Sequence, residues 1–320
     1  MCGNVVGNGT EVVMPLLSIV IANYNYGRFL EAAIQSVVAQ LGVGKDKVSS
    51  DEVELIIIDG GSTDNSIEII QKYAEGLPAR VRRDDPSIVH LHLPPTPITY
   101  WVSEKDKGQS DAFNKGFAKA SGKYLTWLNA DDVLVPGSIA KVIKAFKRYS
   151  ETEWFTANTI RFLNDGSVYQ IWWGPHWYPK MLQRKNSPIV TFGPSTFFAY
   201  DLYSRVGKID ESFHLVMDTD LWMRYIRAGV MQRRINCFVW GFRMHELSKT
   251  AEFGVHNLTG QGRERMHAES VRLGIKNRYR CNKFLRIACL LARLFDGSLI
   301  YRWWWRLSIH NVMELEGWIS

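Results

Sequence analysis

Three short apolar, β-branched runs, each closed by polar or acidic residues, constrain this chain more than any other feature. LSIVIA at 17–22 runs into Asn23, Tyr24 and Asn25. ELIII at 54–58 runs into Asp59, and YLTWL at 124–128 runs into Asn129, Ala130, Asp131 and Asp132. Apolar runs of this length without alternation suit strands buried on both faces, as in parallel sheets. Helical spacing fills the gaps. Phe29, Leu30, Ala33, Ile34, Val37 and Val38 share one face, and Ile67, Ile70, Tyr73 and Ala74 another. Ser62 or Thr63 is placed to cap the second of these helices, with Asp64 at its positive end. Ile98 to Val102 predicts a further strand. Gly108 then opens a helix with Ala112, Phe113, Gly116, Phe117 and Ala120 on one face, ended by Ser121 and Gly122. Alternating strands and helices predict an α/β fold with a mostly parallel central sheet flanked by helices. Residues 78–98 are proline-rich and irregular.

In such sheets ligands bind beyond the carboxyl ends of the strands. Asn23 and Asn25, Asp59, Glu104 and Asp106, and Asp131 and Asp132 all fall on that edge. Adjacent carboxylates are costly unless a cation or a water-filled cleft receives them. A solvated turn before Pro136 and Gly137 accounts for Asp131 and Asp132 taken alone. With three other polar strand ends beside them, a site for a hard divalent cation that holds a diphosphate accounts for more. The dinucleotide fingerprint G-x-G-x-x-G is absent after the first strand, and so is the G-x-x-x-x-G-K-S/T phosphate loop. A dehydrogenase or P-loop enzyme is therefore disfavoured.

The 320 residues, 46% hydrophobic and 22% charged, suffice for a full core in one or two domains. Net charge is +7, and it is unevenly spread. Residues 261–320 hold 11 Lys and Arg against 5 Asp and Glu, a net +6, which leaves about +1 for the rest. Cys2, Cys237, Cys281 and Cys289 have no metal-type spacing and no disulfide framework, which favours a reducing compartment. The first fourteen residues lack the order of a signal peptide, and no run of about 18 apolar residues predicts a membrane span. The expected location is cytoplasmic. In the tail, Phe284, Ile287, Ala288, Leu291 and Phe295 share a helical face opposite Arg286 and Arg293, ahead of YRWWWR at 301–306. Basic residues interleaved with tryptophan suit a membrane-surface contact through 281–310, on the inner face of the plasma membrane. Packing on the rest of the chain, or on another chain, is the alternative. No recognised nucleic-acid module accompanies the tail, so no nucleic-acid partner is expected.

The motifs NYN, IIIDGGSTDNS, WVSEKDKGQSDAFNKG, WLNADD and MDTDLWMR occur in that order over residues 15–250. This order resembles the family 2 glycosyltransferases, which are inverting, metal-dependent enzymes of the GT-A fold. The resemblance implies a catalytic domain over 15–255; outside it, a disordered N-terminus is expected over 1–14 and a helical basic extension over 256–320. The resemblance also implies that Asn23, Tyr24 and Asn25 line the nucleotide and that Asp59 contacts its base, usually uracil. Gly60 stands where many members have a second acid. Gly108 and Asn114 match positions facing the nucleotide-sugar. Asn129 replaces the frequent first aspartate, so Asp131 and Asp132 are expected to carry the ribose and metal contacts. His245, in a stretch resembling the edge of the family's site, is a further expected ligand of Mn²⁺ or Mg²⁺. Asp218 matches the catalytic base, with Met217 in place of a neighbouring Glu; Asp218 is alternatively a helix N-terminal residue. Asp220 and Arg224 are expected to orient or cap. Trp172, Trp173, Trp177 and Tyr178 suit either an acceptor platform or a core or lid, and Gly193 to Thr196 site architecture.

Inversion at an anomeric carbon needs an acceptor hydroxyl deprotonated as it attacks, and a carboxylate within reach can take that proton. A divalent ion offsets charge on the departing nucleoside diphosphate. The resemblance thus implies transfer of one sugar, most commonly from a UDP-sugar, to a glycan or lipid-linked glycan in cell-surface polysaccharide synthesis. The Q-x-x-R-W signature of processive synthases is absent. A non-catalytic nucleotide-sugar-binding or scaffold protein is the rival, kept open by Gly60, Asn129 and Met217.

Overall fold

A computed structural model describes residues 14–74, 98–174, 193–246 and 260–276. The apolar runs form the strands expected of them. β1 (Leu17–Asn23), β2 (Val53–Asp59), β3 (Tyr100–Ser103) and β4 (Tyr124–Asn129) are all parallel neighbours, in the spatial order β3-β2-β1-β4. β2 is buried along its whole length, as a strand covered on both faces must be. Register decides what the carboxyl edge displays. Asn23 pairs with Asp59, Asp59 with Ser103, and Ala22 with Asn129. The polar ends therefore stand side by side.

The helices α1 (Gly27–Val38), α2 (Ser66–Tyr73) and α3 (Gln109–Phe117) join these strands. Gly116 is required by close approach: a Cβ there would lie 2.3 Å from Val20 Cγ1 of β1. Ser62 and Thr63 do not cap α2. Its first residue is preceded by Asn65, which makes no side-chain cap bond. Asp64 accepts from Ser66 N at 3.0 Å and from Gly27 N at 2.8 Å, so one carboxylate serves the starts of both α2 and α1. α3 ends at Phe117, before Ser121 and Gly122.

The second half of the sheet is mixed. β5 (Val133–Leu134), β6 (Trp154–Leu163), β7 (Val168–Trp172), β8 (Thr196–Ala199) and β9 (Arg233–Met244) continue it in the order β4-β8-β6-β9-β5, with β7 beside β6. β8 is antiparallel to both β4 and β6, whereas β6 and β9 run parallel. α4 (Ser138–Arg148) follows β5, α5 (Tyr200–Val206) follows β8, and α6 (Met217–Arg227) precedes β9. α7 (Gly260–Lys276) is the last described element. Under α6 lies an aromatic core. Trp222 stacks on Trp127 of β4 at 5.7 Å and 5°, and on Trp154 of β6 at 5.6 Å and 21°. Gly193, at the start of a single 3₁₀ turn, lies against the Trp127 ring, where any Cβ would collide.

Candidate active site

Asp59 anchors the carboxyl edge. Its Oδ1 accepts from Asn23 Nδ2 at 2.7 Å and Ser62 Oγ at 2.5 Å. Its Oδ2 accepts from Gly61 N at 3.1 Å, Ser62 N at 2.9 Å and Ser103 Oγ at 2.6 Å. Asp59 is fully buried, so these donors take its charge in place of water. Ser62 also accepts from Asn25 N at 2.8 Å, and Asn25 holds its positive φ of 55° while its Oδ1 accepts from Thr63 N. Tyr24, between the two asparagines, is 57% exposed. Across from it, the Asp106 carboxylate lies over Gly60: Asp106 Oδ2 is 2.7 Å from where a Cβ at position 60 would be. Asp106 Oδ1 accepts from Gly108 N at 2.8 Å. Gly108 has φ of 116°, a conformation that favours glycine, and it stands at the start of α3.

At the end of β4 the two aspartates separate. Asp131 Oδ2 lies 3.0 Å from His245 Nε2. The His245 ring packs against Phe29 of α1 at 4.4 Å, which fixes its plane. Asp132 is placed otherwise than expected of a metal ligand. It is fully buried, accepting from Arg243 N at 2.9 Å and Asn129 Nδ2 at 2.7 Å. Its side chain turns inward because β5 pairs with β9, which brings the Arg243 backbone against it. Burial, then the neighbouring Asp131, pushes its carboxyl well above the usual range. Burial also raises Tyr26 to about 12, with both aspartates adding to the shift. Arg243 donates through Nε to Asp131 O at 3.0 Å and holds the turn from behind.

Asp131 and His245 together offer one carboxylate and one imidazole nitrogen. Among the described residues no group of three or more His, Cys, Asp or Glu gathers as a complete cage. The Asp131 oxygen fits a hard cation whose remaining positions are filled by a diphosphate and water, and the imidazole adds a nitrogen donor of the kind transition metals accept.

The start of α3 connects this edge to Asp218. Gln109 Nε2 donates to Asn129 Oδ1 at 2.9 Å. Ser110 Oγ donates to Phe213 O at 3.0 Å and lies 2.9 Å from Met217 Sδ. Met217 is buried, and Asp218 follows half-buried in the first turn of α6. Burial raises Asp218 to about 6, against bonds from Thr219 that favour the charged form. Asp220 and Arg224 form an ion pair: Arg224 Nε meets Asp220 Oδ2 at 2.9 Å, and its guanidinium binds the carbonyls of Gly207 and Lys208.

Asn114 stands apart from this cluster. Its Oδ1 accepts from Tyr203 OH at 2.6 Å and Ile209 N at 3.1 Å, and its Nδ2 donates to Ile209 O at 3.0 Å. It clamps the loop between α5 and α6. Trp173 packs on Phe238 at 5.2 Å, while Trp177 and Tyr178 lie outside the described residues. Ser62, Ser103 and Gln109 were not among the expected site residues. Ser62 reads as a helix cap, the signal for Ser103 is the strand register, and Gln109 is placed by the start of α3.

The family model for glycosyl transferase family 2 matches residues 18–204. The chain belongs to glycosyl transferase family 2. An uncharacterized glycosyltransferase of Nostoc sp. is 33% identical over 131 residues, 41% of this chain and 33% of that protein. The uncharacterized Escherichia coli glycosyltransferase YibD is 26% identical over 306 residues, 89% of this chain and 74% of that one. The chain thus spans about a third of the Nostoc relative's length and three quarters of YibD's. Staphylococcus aureus TarS 1–349, solved in complex with UDP-GlcNAc, matches 80% of this family 2 chain and 65% of its own with a TM-score of 0.53 at 14% identity. That likeness shows the fold, GT-A, and places the mixed sheet within it.

Proposed function

We propose that this chain transfers one sugar, with inversion, from a nucleoside diphosphate sugar, a UDP-sugar, to an acceptor hydroxyl. The observation that carries the reading is that one helix start, Gly108 to Ser110, touches both the Asn129–Asp131–His245 edge and the segment leading into Asp218. Tyr24 and Asn25 face the nucleotide, with Asn23 and Asp59 holding that wall. The backbone at Gly108 and the positive end of α3 meet the diphosphate. Asp131 and His245 hold the divalent cation, which when bound offsets the charge of the departing diphosphate. Asp218 takes the acceptor proton, and its raised pKa matches that task. Asn114 and Asp132 act in this reading as positioning residues, not ligands.

TarS bound to UDP-GlcNAc supports a UDP-sugar donor. A relative in Mycobacterium tuberculosis is named a PGL/p-HBAD biosynthesis glycosyltransferase and is 24% identical over 211 residues. That name supports a biosynthetic role, and we take the acceptor to be a glycan or lipid-linked glycan used in building cell-surface polysaccharide. Calorimetry with UDP, dTDP, GDP and CMP, with and without Mn²⁺, tests the donor site. Metal-dependent UDP binding that weakens at least tenfold in Asp131→Asn and His245→Ala is expected. Binding indifferent to metal and to both substitutions would sink the cation assignment.

A non-catalytic nucleotide-sugar-binding protein is the second reading. It is favoured by Met217, whose buried thioether occupies the position of a second acid. Donor binding without UDP release in any acceptor mixture is the result it predicts.

A further inference from the structure

α7 lies beyond the residues matched by the family model, yet it reaches the segment that leads into Asp218. Glu269 accepts from His214 N at 3.1 Å and 3.2 Å through its two oxygens. Its Oε2 also accepts from Leu215 N at 2.9 Å and Val216 N at 3.3 Å. These three amides run directly into the first turn of α6, where backbone N–H groups lack helical partners and a carboxylate is favoured. Arg272 reinforces the contact, donating to Ser212 O and lying 4.2 Å over the Phe213 ring. Leu273 is buried against the core. From the opposite side, Ser110 bonds Phe213 O, and His214 Nδ1 lies 4.0 Å from where a Cβ at Gly108 would be. Residues 212–217 are thus held between α7 and the start of α3.

We infer that Glu269 is a positioning residue for Asp218. By fixing the 214–216 amides it sets where α6 begins, and so where the Asp218 carboxylate stands. This rests on the reading of Asp218 as the base. A carboxylate added only for stability would raise the melting temperature and leave turnover of the folded protein alone. A positioning carboxylate has a different signature, because displacement of a catalytic group by about 1 Å can cost on the order of a hundredfold in rate.

The test uses the full chain with Mn²⁺ and reads UDP release from UDP-GlcNAc, UDP-glucose and UDP-galactose, alongside amide hydrogen exchange. Glu269→Ala is expected to speed exchange at 214–216 by about tenfold or more. It should lower kcat roughly tenfold or more with KM within about twofold. Glu269→Gln keeps one accepting oxygen and should fall between. In an Asp218→Asn background, Glu269→Ala should add no further loss, since both changes act through one group. Unchanged exchange at 214–216, or the same fold-loss in both backgrounds, overturns the inference. So does normal turnover in Glu269→Ala while the wild type is active, and that result leaves the transferase reading intact. No release by the wild type from any of the three donors counts against the UDP-sugar reading and not against the Glu269 contact, which exchange at 214–216 then decides.

Discussion

Asp218 meets two opposing demands. As a base it must be ionised, and burial holds it at about 6. Turnover should therefore climb through pH about 6 and level off above, and a profile flat from pH 5 to 8 would exclude Asp218 as the base. Asp218→Asn should cut kcat by roughly 10² to 10⁴ while donor affinity holds. Stability moves the other way. An ordinary aspartate titrates at 3.8, so folding raises this pKa, and the contribution of Asp218 is best below 3.8 and lost as pH rises to about 6. Asp218→Asn should then gain on the order of 1 kcal/mol at pH 8, after discounting for solvent screening, and progressively less toward pH 4. Denaturant melts at the two pH values measure it. Asp218 was legible in the sequence only through the resemblance of MDTDLWMR to a family motif, with a helix start as the alternative. The inward turn of Asp132 was not. It depends on Arg243 N, 111 positions away, through a strand pairing that local pattern does not encode.

At the scale of elements, α3 does most of the positioning, and its seat is narrow. Gly116→Ala would press a methyl into Val20 and Ile58 of the parallel strands and should cost about 1–3 kcal/mol, read from urea midpoints. The opposite end of the same layer is tied by Glu54. Its buried carboxylate accepts from Ser18 Oγ at 2.5 Å, Ser121 N at 2.5 Å and Gly122 N at 2.9 Å. All three donors meet the same oxygen, Oε1, so Glu54→Ala strands them together and should destabilise by about 1–3 kcal/mol. An unchanged midpoint would contradict that. β1, β2 and β4 and the helices between them were readable because each is a continuous apolar run or a 3.6-residue stripe. β5 is two residues long, and its partner β9 alternates only in part, so their antiparallel register had no local signature. Glu269 was equally silent: in sequence it is one charge in a basic helix.

For the whole molecule, charge is partitioned. Residues 261–320 hold nearly all of the net positive charge, while the acidic edge belongs to the sheet. Among the described residues no helix is long and apolar enough to cross a membrane. The segment 281–310, expected at a membrane surface, and residues 1–13 lie outside the described residues. The charge partition alone predicts that the full chain co-sediments with anionic vesicles at low salt and is released at about 0.5 M, where the Debye length is only a few ångströms. Equal pelleting with neutral vesicles would refute it. The stacked indoles of Trp154, Trp222 and Trp127 have a separate consequence. They bridge β6, α6 and β4 at near-parallel planes, so their electronic transitions couple, and near-ultraviolet dichroism depends on such fixed packing. The helix that carries Asp218 is therefore wired to an optical gauge of its own, one that reports without any label whether α6 shifts when a donor arrives.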